Sequence, residues 1–150
     1  MKLLLSVVLA FSGTAALPAH AQFTRPEDAI KYRKAAFTVM AIHFGRVASM
    51  ANGRSPYDAK SVVDNAQIVS LMAALPFSAF VDGSERGGDT HAQPKIWLER
   101  GKFDAAAGAM GDEVAKLSAA AKAGDPAAVK SAAGGVARAC KACHDTYRKD

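Results

Sequence analysis

The 150-residue chain has two cysteines, and both stand in one string near its end, Cys140-Lys141-Ala142-Cys143-His144. C-x-x-C-H is the attachment sequence of c-type haem. Each sulfur can add to one haem vinyl group, and the two-residue spacer brings the sulfurs to adjacent edges of the macrocycle. The histidine that follows reaches the iron as axial ligand. On this reading the chain folds around a large, flat, apolar group held at its last segment. Three other readings compete. Structural zinc usually takes four Cys or His ligands as two pairs, and His20, His43 and His91 make no second close pair. A thioredoxin-like pair follows a strand in a βαβ unit, and no strand pattern precedes Cys140. A plain Cys140–Cys143 disulfide gives no reason for the adjacent histidine; it stands as the haem-free alternative, a helical interaction protein.

The N-terminus reads as a secretory signal over residues 1–21. Lys2 is the positive start, Leu3 to Ala16 is nearly all apolar, and Ala19-His20-Ala21 is a small-x-small cleavage site. The mature domain is then 22–150, and the expected compartment is the periplasm. The apolar run is too short for a transmembrane anchor, and no later stretch reads as long enough. Loss of Lys2 lowers the formal net charge from +5 to +4. That charge is scattered, without basic runs interleaved with aromatics, so no nucleic-acid partner is expected. A mildly positive surface biases encounter with an acidic redox partner. No nucleophile–base pair or carboxylate dyad stands out, so no enzymatic turnover is expected.

The rest of the chain reads as all-α. Thr24 and Glu27 form a T-x-x-E capping box with Pro26 in the first turn. Ile30, Phe37, Met40, Ala41, Phe44, Val47 and Ala48 follow at helical spacing, and Asn52-Gly53 ends this helix. Ser55-Pro56 restarts a helix whose inner face holds Val62, Val63, Ala66, Val69 and Ala73, closed by Pro76. Phe77 to Gln93 is a long loop, the kind that carries function. Gln93-Pro94 opens a third helix with Phe103, Ala107, Met110, Val114, Leu117 and Ala121 on one face, ended by Gly124. Asp125-Pro126 opens a fourth, on which Val129, Ala132, Ala133, Val136, Cys140, Cys143, His144 and Tyr147 share the face turned to the bundle interior. Gly134-Gly135 inside it costs roughly 1 kcal/mol per glycine relative to alanine, as expected if a neighbouring helix or the haem approaches closely. Short links between first and second and between third and fourth helices predict an antiparallel four-helix bundle with haem c on the C-terminal helix.

A haem string on the last of four helices, with Pro26-Glu27-Asp28-Ala29, Lys31-Tyr32-Arg33, His43-Phe44-Gly45-Arg46, Pro56-Tyr57-Asp58, Pro94-Lys95-Ile96-Trp97 and Cys140 to Arg148, resembles the class II cytochromes c, specifically the cytochrome c′ family. The resemblance implies one covalently attached haem c per chain, with Cys140 and Cys143 holding it and His144 as the iron ligand. In low-spin relatives a first-helix methionine takes the sixth iron position. Here that place falls on Phe37, which cannot ligate, so a five-coordinate site that binds NO and CO is implied. Met40 is the rival ligand, and with it the chain is a six-coordinate electron carrier. Arg33 and Lys34 align with positions near the haem propionates, Asp89 or Thr90 closes that side from the loop, and Arg148 borders the proximal side. The loop from Val81 to Gln93 reads as longer than the family's. Homodimers through the first two helices are implied, with Ala48, Ala51 and Ala66 small enough for close packing.

Overall fold

The computed structural model describes residues 22–149; the expected signal segment lies outside the described residues. Helix α1 spans Pro26–Ala51. It begins without the Thr24–Glu27 capping box. Arg25 is the N-cap, in extended backbone and without a side-chain cap, and its guanidinium reaches Asp28 at 2.9 Å. Pro26 sets the start because its fixed φ suits the first helical position and its missing N–H costs nothing there. Helix α2 spans Ala59–Met72. It starts later than the Ser55-Pro56 signal suggests. The carboxylate of Asp58 accepts the Ser61 N–H at 2.6 Å, and that acceptor, not Ser55, sets the first turn.

Against the expectation that no later stretch is apolar for long enough, residues Ala59–Ala79 reach a mean hydropathy of 1.3 over an 18-residue window, by composition enough for a membrane span. The stretch is broken, however. A 3-10 turn, Leu75–Ala79, follows α2. The 14 residues of α2 rise only about 21 Å, less than a hydrocarbon core.

The expected third helix is two. Helix α3 covers Lys95–Leu98 and α4 covers Arg100–Ala123. Glu99 breaks the helix with φ −122° and ψ 42°. Gly124 closes α4 in left-handed backbone at φ +71°, which a side chain disfavours. Asp125 then caps α5, Pro126–Tyr147, accepting from the N–H groups of Ala127 and Ala128. α1 packs on α2 and α5, and α4 on α2 and α5, which closes the antiparallel bundle. The described residues hold no strand beyond one isolated bridge, Ala92 to Arg148.

The interior divides in two. An aliphatic cluster of Met40, Val47, Val62, Ala66, Val69, Met110, Val114, Leu117, Ala121, Val129, Ala133 and Val136 fills the bundle. An aromatic cluster of Phe80, Ala92, Ile96, Phe103 and Tyr147 lies where the loop and α3 close over α4 and α5. Ala66 belongs to the aliphatic core and is shut off from any second chain, while Ala41 is exposed. Only Gly135 of the glycine pair meets a neighbour on another helix: an added Cβ would stand 1.9 Å from Glu113 Oε2 on α4. Gly134 faces only Arg138 of its own helix. The close approach is thus a flexible side chain reaching over α5, not a helix backbone.

Candidate functional site

Cys140 packs against the aliphatic cluster and Cys143 against the aromatic one. The two thiols therefore sit at the seam of the two cores. Both are half-buried and free. Burial pushes both thiols up from their ordinary value, and for Cys143 the charge of Cys140 adds to it.

His144 departs from the expectation of an interior face. It is exposed and lines an open hollow of about 550 Å³ with His91, Gln93, Asp145, Arg148 and Lys149. The reason is positional. The last turn of α5 is met by the 91–93 segment, whose Gln93 N–H donates to Tyr147 O at 2.9 Å, while Lys149 N–H donates to His91 O at 2.7 Å. Partial burial first, and the Arg148 guanidinium second, hold His144 below the usual imidazole value, against an opposing pull from Asp145. A neutral imidazole is the form that ligates a metal. Arg148 stands at the exposed end of α5 beside it, as the (i, i+4) spacing predicts.

Phe37 lies edge-on to Phe77, with ring centroids 5.6 Å apart, and 6.4 Å from Phe80. Phe80 in turn meets Phe103 at 4.8 Å and Trp97 at 5.9 Å, and Phe103 meets Tyr147 at 5.3 Å. Such tilted and edge-on pairs suit the ring quadrupoles. Phe77 and Phe80 escape sequence reading because they lie in the 3-10 turn and at its end, where no helical periodicity marks them. Met40 is a buried member of the aliphatic cluster. His43 is partly buried and its Nδ1 is 2.7 Å from Asn65 Oδ1. Asn65 Nδ2 donates to Ser61 O, so His43 is the donor in that pair.

Arg33 is 2% exposed. Its guanidinium donates to Ala79 O, to Oγ and O of Ser84, and to Thr90 Oγ1, at 2.7 to 3.1 Å. All four acceptors are neutral. Burial lowers its pKa to about 10, the cost of a cation removed from water without a carboxylate beside it. Lys34 pairs with the Asp89 carboxylate at the surface. Arg33 with Thr90, and Lys34 with Asp89, thus form two couples between α1 and the loop.

These residues fit haem c. Two free thiols stand one helical turn apart beside an apolar, aromatic-lined interior. A neutral imidazole follows them. The profile of the cytochrome c′ family matches residues 28–148. The cytochrome c′ of Rubrivivax gelatinosus is 47% identical over 128 residues, covering 85% of this chain and 99% of that protein. Its crystal structure superposes with a TM-score of 0.83, over 85% of this chain and 100% of that one. A nitric oxide complex of a single-site mutant of cytochrome c prime from Alcaligenes xylosoxidans superposes with a TM-score of 0.80 at 45% identity, over 86% of this chain and 99% of that one.

Proposed function

The chain belongs to the cytochrome c′ family, and from that premise we propose that it is an exported, five-coordinate c-type cytochrome of the periplasm that binds NO and CO reversibly, without catalytic turnover. The family's cofactor is covalently attached haem c, and the two cysteines suit one per chain. When bound, the haem would supply a one-electron Fe(III)/Fe(II) couple and an iron able to take a diatomic ligand. Cys140 and Cys143 would hold it through their sulfurs, and His144 would present its neutral imidazole. Arg33, Lys34, Asp89 and Thr90 border the propionate side, and Arg148 borders the proximal side.

The observation that carries this reading is Phe37. Its ring is fixed edge-on against Phe77 within the aromatic cluster that Cys143 adjoins. It has no lone pair for iron and no hydrogen-bond donor for a polar bound O2, so it excludes water and favours NO and CO. Met40 is buried with Val47 and Val62 inside the aliphatic cluster, whereas Phe37 packs against both clusters, as the two thiols between them do, which supports Phe37 over Met40 on the distal side. The nitric oxide complex of the Alcaligenes relative supports NO as ligand. Val39 and Ile42, 38% and 51% exposed on α1, support a homodimer through α1 and α2, checked by sedimentation. The decisive experiment is the optical spectrum of the reduced protein with and without CO. A broad, unsplit Soret band that shifts with CO is expected. Sharp, split bands indifferent to CO overturn the reading in favour of a six-coordinate carrier.

A further inference from the structure

The segment from Ala79 to Gln93 runs as a strap over the aromatic cluster and is fastened at three places. Its end is tied to the chain terminus by the Gln93–Tyr147 and His91–Lys149 backbone bonds. Its start is tied to α3 and α4: Trp97 Nε1 donates to Val81 O at 3.2 Å, and Arg100 Nη1 donates to Phe80 O at 2.9 Å. Its middle is tied to α1 by Arg33 alone among the bonds that cross there from a buried side chain. The two terminal nitrogens of Arg33 carry four N–H bonds, and all four have acceptors on the strap. Ser84, fully buried, passes the connection on through its own hydroxyl to Val81 O at 2.7 Å. Gly83 makes the turn at φ +83°, and an added Cβ would come 3.2 Å from the Pro26 ring.

The same guanidinium lies 4.5 Å from the Phe80 ring centroid and 5.7 Å from that of Trp97, close enough for cation–π attraction. Phe80 touches Phe37 and Phe77. One side chain therefore spans from the strap backbone to the rings that surround the distal Phe37. A guanidinium is suited to this because its donors form a rigid planar fork, which a lysine ammonium lacks.

We propose that Arg33 is a positioning residue, the clasp that fixes the 79–90 strap on α1 and thereby holds Phe80, and through it Phe37, in place. With its terminal nitrogens committed to the strap, Arg33 offers a propionate only Nε, so its main work is on the pocket wall. This rests on the gas-binding reading for the role of Phe37, while the clasp itself does not.

The test compares the holoprotein with its Arg33→Lys and Thr90→Val variants. Hydrogen exchange by mass spectrometry reads the strap, and the CO association rate of the reduced protein reads the pocket. Arg33→Lys keeps the charge and loses the fork. Peptides covering 79–92 should then exchange about tenfold faster, the change expected for one lost charge-assisted bond. Peptides of α4 should be unchanged and CO association faster. Thr90→Val removes one acceptor at the strap's far end and should give a smaller change of both, confined to 88–92. It keeps the comparison usable if Arg33→Lys folds poorly. Unchanged strap exchange overturns the clasp. Faster exchange with an unaltered CO rate overturns its link to Phe37. A wild-type protein that takes no CO sinks the gas-binding reading, while the exchange comparison still decides the clasp.

Discussion

The aliphatic and aromatic ends of the interior are built on different principles. The aliphatic cluster comes from four helices, each giving residues at the spacing of its turns. The aromatic cluster draws on the first-helix Phe37, a 3-10 turn, a strap and the short α3, and it is pinned by side-chain bonds to backbone carbonyls. Regular elements make a core that tolerates shape error in small steps. A wall made of irregular chain needs specific polar ties, because its backbone groups have no ladder of their own. The two thiols lie at the border of the two, Cys140 against the aliphatic cluster and Cys143 against the aromatic one.

The largest effect should come from removing what joins the two ends. A Cys140→Ala, Cys143→Ala double variant should lose all covalently bound haem, read as loss of the haem mass under denaturing conditions. Next come paired truncations, one per core. Phe103→Ala should cost about 3–5 kcal/mol and Leu117→Ala about 2–5 kcal/mol in denaturant unfolding. Only Phe103→Ala should also alter the optical spectrum, and equal spectral effects would erase the distinction between the two ends. Asp125→Ala, at the cap of α5, should cost about 1 kcal/mol without changing gas binding.

The smallest effect is a titration. The Lys34 hydrogen bond holds the Asp89 carboxyl below its ordinary value of 3.8. A carboxyl depressed in the folded state contributes stability above that ordinary value and loses it as pH falls through the lowered one. Acid titration of the strap, followed by near-ultraviolet circular dichroism at Trp97, should loosen it in that window. In Lys34→Met the strap should already be looser at neutral pH and this acid step should be missing.

The legible part of this fold follows from local rules. Gly124, Asp125 and Pro126 each act on neighbouring backbone, so the α4–α5 turn could be placed by reading along the chain. The start of α2 departs from the Ser55-Pro56 signal because Ser55 and Asp58 are both good caps, and only the completed turn chooses between them. The Glu99 break has no marker of its own: Leu98, Glu99 and Arg100 are good helix formers, and packing of α3 against the aromatic cluster outweighs their propensity.

The sequence by itself determined the cofactor chemistry, the four-helix class and the likeness to cytochrome c′, since C-x-x-C-H, capping and helical period are short-range properties. Tertiary structure alone decided that His144 stands open beside His91 and Arg148, that Phe77 and Phe80 back Phe37, and that Arg33 is buried on a strap 46 to 57 residues away. Those contacts join segments far apart in the chain, and their energies depend on burial and distance, which no local spacing encodes.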